Sequence, residues 1–165
     1  MNGITIFKSN YGATKTYAQW IEEATGFKAV DIGQLKKKDI INIDTVVIGC
    51  PVFAGKPLLG RWIEKNWSSL EGKKVALYTT SGARADDTSL EEVFDSSFSA
   101  RIRDSLSYFP QSGRMIFSEM SPLHRFFMKL GQKMEKDPQV KKEMLKDKDN
   151  MDREGLKALI AYLQK

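Results

Sequence analysis

A short stretch near the start of the chain combines two hydroxyl side chains, a glycine and the expected start of a helix. Ser9 and Thr14 can donate hydrogen bonds without adding charge, and Gly12 lets the backbone approach a ligand closely. Backbone N–H groups at the start of the following helix would point at the same place, which favours an anion. The pattern therefore predicts a phosphate-binding loop. The alternative is an ordinary strand-to-helix turn in which Thr14 acts only as the helix N-cap.

Two further loops could line a flat ring. Pro51–Gly55 contains Phe53, which could stack on an aromatic cofactor, and Tyr11 in the first loop lies close enough in sequence to reach the same pocket. Thr79–Ala83 is made of small residues whose backbone groups could hydrogen-bond the polar edge of a heterocycle. Neither loop contains a carboxylate, which suits an uncharged or anionic ring. The alternative for Phe53 is a loop aromatic that fills the core.

Alternating strands and helices are predicted around these loops. The predicted strands are Gly3–Phe7, Phe27–Ile32, Asp44–Cys50, Lys73–Thr80 and Leu106–Gln111. The predicted helices are Thr14–Thr25, Leu58–Trp67, Ser89–Ser105 and Arg153–Gln164. This alternation indicates an α/β fold, a parallel sheet with helices on both faces. Each of the three loops follows the carboxyl end of a strand, so we expect all three to meet at one edge of the sheet, where such folds bind ligands.

Composition limits the alternatives. A chain of 165 residues with 41% hydrophobic residues predicts one folded domain spanning residues 1–165. The sequence has no apolar run long enough to cross a bilayer and no signal-peptide pattern, so we expect a cytoplasmic protein. A single cysteine, Cys50, and a single histidine, His124, leave no zinc-type cluster. The net charge of +5 favours acidic partners, but no nucleic-acid-binding motif is present and we expect no nucleic-acid partner.

A basic, amphipathic helix is predicted over Ser121–Lys136. Its apolar positions are Leu123, Phe126, Phe127, Leu130 and Met134, and its basic positions are Arg125, Lys129, Lys133 and Lys136. It could lie on an anionic membrane surface within reach of a lipid-soluble quinone, or dock on an acidic redox partner. Alternatively, its apolar side packs on the sheet. We expect the charged stretch Glu135–Asp152 to be a mobile surface connection.

The Ser-x-x-Gly-x-Thr pattern of the first loop resembles the phosphate loop of the flavodoxin superfamily, and the whole chain resembles that superfamily. Within it, the chain looks most like the flavodoxin-domain branch that includes the menaquinone-dependent protoporphyrinogen oxidases. Val47–Gly55 is similar to that branch's second loop, and His124–Met134 is similar to its insertion before the last helix. The resemblance implies a flavodoxin-like, doubly wound, five-stranded parallel sheet in the order 2-1-3-4-5, with FMN bound non-covalently.

The resemblance also implies a set of cofactor-binding residues. They are Ser9, Asn10, Tyr11, Gly12, Ala13 and Thr14 around the phosphate, and Pro51, Val52, Phe53, Ala54, Gly55, Thr79, Thr80, Ser81, Gly82 and Ala83 around the ring. No catalytic acid or base and no metal ligand is assigned. The implied function is an FMN-dependent oxidoreductase that passes electrons from a reduced substrate or reductase to a quinone or protein acceptor. The alternative is an electron-transfer protein that serves a partner oxidoreductase and has no substrate of its own.

Overall fold

Eight strands and eight α-helices form the protein in a computed structural model that describes residues 2–165. The strands are β1 (Gly3–Phe7), β2 (Lys28–Asp31), β3 (Thr45–Phe53), β4 (Lys56–Pro57), β5 (Lys74–Ser81), β6 (Leu106–Ser112), β7 (Arg114–Met115) and β8 (Lys148–Asp149). The helices are α1 (Ala13–Thr25), α2 (Lys38–Ile41), α3 (Gly60–Leu70), α4 (Ser89–Ser97), α5 (Ala100–Arg103), α6 (Pro122–Met134), α7 (Pro138–Glu143) and α8 (Lys157–Leu163). Short 3-10 turns precede α6 and α8.

Five of the strands form a parallel sheet in the order β2-β1-β3-β5-β6. Because β4 is only a short partner of β3, this order is the predicted 2-1-3-4-5 arrangement of the five main strands, and the predicted fold class is confirmed. In the register, Ile6 on β1 lies between Val30 on β2 and Ile48 on β3. The chain reverses its winding direction between β1 and β3, which places the carboxyl ends of these strands at the switch point.

The central strand β3 is covered on both faces, as its continuous Val46–Ile48 run predicts. Val46 and Ile48 pack into a core with Ile63 of α3, while the intervening Val47 points to the other face. That second core contains residues of α1 and α8, among them Tyr17 and Leu159. Side chains that alternate between two buried layers fix the sheet between two layers of helices.

The prediction that β3 ends at Cys50 was wrong. The strand continues through Pro51–Phe53 and turns back into β4, which pairs with it in antiparallel fashion. Proline fits at position 51 because no backbone N–H donor is required there. The carbonyl oxygen of Pro51 accepts a hydrogen bond of 3.0 Å from the amide of Leu58. The second predicted loop is therefore a short hairpin at the carboxyl end of β3.

Two other predictions need correction. The helix predicted over Ser89–Ser105 is broken into α4 and α5, because Phe98 adopts an extended backbone that buries its ring at 5% exposure. Glu135–Asp152 is not merely a connection, since it contains α7 and β8. β8 pairs antiparallel with β7, so Arg114 lies opposite Asp149 and Met115 opposite Lys148. The two ends of the segment between Met115 and Lys148 therefore lie side by side.

Candidate functional site

A cavity of about 300 Å³ opens at the carboxyl edge of the sheet. The three loops singled out in the sequence come together there. Their residues in its lining are Ser9, Asn10, Tyr11, Ala13, Thr14, Pro51, Val52, Phe53, Thr80, Ser81 and Gly82. The volume lies at the lower end of the range of about 300–1,000 Å³ typical of small-molecule sites.

The first loop presents an uncapped helix end to this cavity. Gly12 is the N-cap of α1, with φ 92° and no side chain that could cap the helix. The amides of the first turn, at Ala13 and Thr14, have no acceptor within the helix. The amide of Gly12 itself donates to the Ser9 Oγ at 3.1 Å, which draws the loop into a tight turn. The interpretation of Thr14 as the N-cap was wrong, because Thr14 lies inside the first turn.

Thr14 joins the first loop to the third. Its Oγ1 lies 2.8 Å from the Oγ1 of Thr80, and both side chains are buried. Its main-chain carbonyl oxygen accepts a hydrogen bond of 2.9 Å from the hydroxyl of Tyr78. Two residues of β5 therefore hold the start of α1 against the sheet. The backbone amides of the first turn and the hydroxyl of Ser9, which only accepts from Gly12, remain available as donors of the loop.

Five of the predicted residues lie outside the cavity lining: Gly12, Ala54, Gly55, Thr79 and Ala83. Thr79 points to the opposite face of the sheet from Thr80, where its hydroxyl lies 2.7 Å from that of Tyr108. Ala54 and Gly55 form the exposed turn between β3 and β4, with φ of 50° and 71°. A role of these residues in binding stays a prediction, as it does for the residues in the lining.

A fourth segment, which the sequence interpretation missed, completes the cavity. It contributes Gly113, Arg114, Met115, Met120, His124 and Met128. Gly113 follows β6 at the same edge of the sheet, so the rule that selected the other three loops could have found it. Its amide donates to the carbonyl oxygen of Ser81 at 2.7 Å, and a Cβ at this position would lie 2.8 Å from that oxygen. Glycine is therefore needed for this close approach.

His124, on the first turn of α6, lies against two aromatic residues from different loops. Its ring centroid is 4.7 Å from that of Phe53 and 5.6 Å from that of Tyr11. The imidazole Nδ1 shares a short hydrogen bond with the hydroxyl of Tyr11. The Tyr11 hydroxyl also accepts from the amide of Ser121, at 3.2 Å. These contacts fix the start of α6 against the first loop.

The cavity has no carboxylate in its lining. Its positive side chain, Arg114, forms ion pairs with Glu119 at 3.1 Å and Asp149 at 3.7 Å. The one cysteine, Cys50, is fully buried, and this burial raises the pKa of its thiol to about 12. A thiol that stays protonated is not a nucleophile. The described lining of the site is therefore apolar and neutral to positive, and it contains no reactive thiol.

The outer side of α6 is apolar and exposed. Leu123 is 61% exposed, Phe126 60% and Met134 73%. The hypothesis that the apolar side of this helix packs on the sheet is therefore wrong for these residues. Within residues 2–165, no helix has the length and apolarity needed to cross a membrane. Helix α6 thus presents His124 and Met128 to the cavity and an unpartnered apolar surface to solvent.

A family model and a solved structure agree with this architecture. The model of the Flavodoxin domain family matches residues 4–142 of the chain. A flavodoxin, WrbA-like protein from Agrobacterium tumefaciens shares the fold, with a TM-score of 0.53 at 16% sequence identity, covering 73% of this chain and 85% of that one. The two-electron reduced flavodoxin of Megasphaera elsdenii has a TM-score of 0.46 at 18% identity, covering 67% and 83%. A search of curated proteins returned no match.

Proposed function

The chain belongs to the flavodoxin domain family, whose cofactor is FMN, and on that premise we propose that it is an FMN-dependent oxidoreductase. It passes electrons from a reduced small molecule or a reductase to a quinone or protein acceptor. The observation that carries the proposal is the cavity at the switch point of the sheet, where an uncapped helix end and an apolar wall meet.

The residues of this cavity fit a mononucleotide. The free amides of Ala13 and Thr14, with the hydroxyl of Ser9, are suited to a phosphate group, because the positive end of the helix dipole lies there. Val52 and Phe53 supply apolar surface for a ring. When bound, FMN supplies the redox chemistry, and the protein holds and orients it. The lack of carboxylates in the lining avoids repulsion of negative charge that enters with the electrons.

The electron acceptor is proposed to meet the protein on α6. This helix exposes Phe126 and Phe127 beside the exposed lysines Lys129 and Lys133. It lies next to the cavity, which His124 lines. An apolar surface flanked by positive charge suits the headgroup region of an anionic membrane, where a quinone would be available. The protein would then act peripherally, at a membrane surface. Porphyrinogens, the substrates of the oxidases that this chain resembles, belong among the candidate donors.

The second candidate function is that of an electron carrier that serves a partner oxidoreductase. The same exposed surface of α6 favours it, because a protein with an acidic docking face could cover Lys129, Lys133 and the neighbouring apolar side chains. The two functions differ in whether a small molecule alone can reduce or reoxidise the bound cofactor at a useful rate.

The proposal is tested by purifying the protein and titrating it with FMN while flavin fluorescence is followed. We expect tight, stoichiometric binding, and release of FMN on denaturation. Anaerobic mixing of the loaded protein with quinones, candidate substrates and a flavodoxin reductase then separates the two functions. Turnover with small molecules alone identifies an enzyme, whereas reduction only by a reductase identifies a carrier. A protein that does not take up FMN would contradict both.

A further inference from the structure

The chain's single histidine lies in the cofactor cavity, although it belongs to a segment far from the cofactor loops in sequence. His124 is half-buried, and its ring packs against Phe53 of β3 and Tyr11 of the first loop. Its own amide donates to the Oγ of Ser121 at 3.2 Å, which caps α6 and fixes the start of that helix. An imidazole ring held by two aromatic residues at a capped helix end is well placed for chemistry.

The hydrogen bonds assign different tasks to the two ring nitrogens. Nδ1 is bonded to the hydroxyl of Tyr11, which can donate to a bare Nδ1 or accept from a protonated one. This bond therefore survives a change in the charge of the imidazole. Nε2 has no hydrogen-bond partner among the side chains and backbone of residues 2–165. Nε2 is thus the nitrogen that is free to exchange a proton with a group in the cavity.

The other titratable groups around the cavity are unsuited to that exchange. Arg114 is paired with Glu119 and Asp149. The hydroxyl of Tyr11 is already bonded to Nδ1 of His124 and to the amide of Ser121. Of the ordinary side chains, histidine is the one that changes charge between about pH 5 and 8. His124 has no ion-pair partner in the described chain, although Arg125 follows it on α6 and Lys129 lies one turn further on.

We propose that His124 is the proton-exchanging residue of this site, acting through Nε2. The inference rests on the proposed function. An electron pair that enters from a reduced small molecule or a reductase needs at least one proton to keep the charge in the cavity low. That proton passes from Nε2 of the imidazolium to the bound cofactor that receives the electron pair. The imidazolium thereby becomes a neutral imidazole, while Nδ1 keeps its bond to Tyr11. Water at the exposed side of α6 returns a proton to Nε2, and the exchange runs in reverse when the electrons leave.

The first test uses NMR, because one histidine gives one set of imidazole resonances. The ring of His124 is titrated between pH 5 and 9 in the FMN-loaded protein, once oxidised and once fully reduced under anaerobic conditions. If the imidazole exchanges a proton with the cavity, the midpoint of its titration is higher in the reduced protein by at least about half a pH unit. An identical midpoint in both forms overturns the inference and leaves the proposed function standing. A failure to load FMN overturns both.

The second test is kinetic and uses His124→Gln, which can still bond to Tyr11 but cannot titrate. We expect reduction of the loaded variant by excess dithionite at pH 7 to be at least about tenfold slower, with FMN affinity within about threefold of the wild type. Added imidazole is expected to restore part of the rate. The matched control is Lys142→Gln on α7, which removes one positive charge from the same segment without touching the cavity. An unchanged rate in His124→Gln, or equal slowing in both variants, contradicts the inference.

Discussion

The hydroxyl of Tyr78 donates a hydrogen bond of 2.9 Å to the main-chain carbonyl oxygen of Thr14, so β5, an inner strand of the sheet, holds the start of the first helix. Tyr78 is fully buried, and its ring occupies the space in which a side chain at Gly49 on the neighbouring strand would lie. Three elements that line the cavity, β3, β5 and α1, therefore depend on this one aromatic residue.

Replacing Tyr78 with Phe removes the hydroxyl and leaves the Thr14 carbonyl without its buried partner. We expect the free energy of unfolding to fall by about 1–3 kcal/mol, the usual cost of an unsatisfied buried polar group. Urea denaturation measures this change. Tyr162→Phe is the control, because its hydroxyl has no hydrogen-bond partner within residues 2–165, and it should change stability by less than about 0.5 kcal/mol. Equal effects of the two variants would contradict the role given to Tyr78.

Replacing Gly49 with Ala places a methyl group on the Tyr78 ring. Since both residues lie inside a packed sheet, neither backbone can yield, and we expect a loss of at least about 3 kcal/mol in the free energy of unfolding. The control is Gly131→Ala in α6, where the nearest atom to the added carbon is Met144 Cε at 3.5 Å. This second variant should be neutral or up to about 1 kcal/mol more stable, because alanine favours the helix.

The bond between Thr14 and Thr80 predicts a double-mutant cycle that is not additive. Thr14→Val and Thr80→Val should each lower the free energy of unfolding by about 1–3 kcal/mol, because each leaves a buried hydroxyl without its partner. The double variant removes both hydroxyl groups and should cost less than the sum. Strict additivity in urea denaturation would show that the two hydroxyls do not depend on each other.

Much of this fold follows from local patterns in the sequence. The Val46–Ile48 run predicts a strand that is buried on both faces, and Ile4, Ile6 and Leu77 support neighbouring strands of the same kind. The β3–β4 hairpin was not predicted because Pro51 and Pro57 weigh against a strand. In the structure their missing amides cost nothing, since both lie where the chain leaves the main sheet. Pro110 is tolerated for a related reason, because β6 is an edge strand.

The site was predictable only in part. Three of the loops that line the cavity were predicted because each directly follows a strongly apolar strand. Gly113 and Arg114 follow β6, whose less apolar sequence gives a weaker strand pattern in front of them. The position of His124 could not be predicted at all. Its contact with Tyr11 joins residues 113 positions apart, and nothing local in the amphipathic pattern of α6 indicates which turn faces the cavity.

The buried thiol of Cys50 predicts a loss of stability at alkaline pH. Burial raises its pKa from an ordinary value of 9.0 to about 12 in the folded protein. The folded state therefore keeps a proton that the unfolded state loses above pH 9, so this contribution to stability is complete below pH 9 and is lost between pH 9 and 12. The loss approaches about 1.4 kcal/mol per pH unit in that window.

Urea denaturation of the wild type and of Cys50→Ala between pH 8 and 10.5 isolates this effect. Burial also raises the pKa of Tyr17 and Tyr78, so both proteins should become less stable as the pH rises. The wild type should lose stability more steeply than Cys50→Ala. Parallel curves would show that the thiol ionises as easily in the folded protein as in the unfolded chain.

The exposed surface of α6 predicts binding to anionic vesicles that weakens with salt. Replacing Lys129 and Lys133 with Gln should reduce the binding constant about 30-fold, since each basic residue near such a surface contributes about 1 kcal/mol. Lys65→Gln, an exposed charge on α3, is the control and should have little effect. Vesicle pelleting at low and high salt measures this. No salt-dependent pelleting would exclude the membrane and leave a protein partner for this surface.

Pairing of β7 with β8 means that the polypeptide departs and returns through two adjacent positions, Met115 and Lys148. The intervening stretch can consequently be excised and the ends rejoined by a two-residue turn such as Asn-Gly, with no need to rebuild the sheet. Such a shortened chain would retain the three loops near the switch point while lacking both the histidine and the apolar helix. Removal of residues 116–147 would thus separate the parallel sheet and its three loops from the segment that carries α6 and α7.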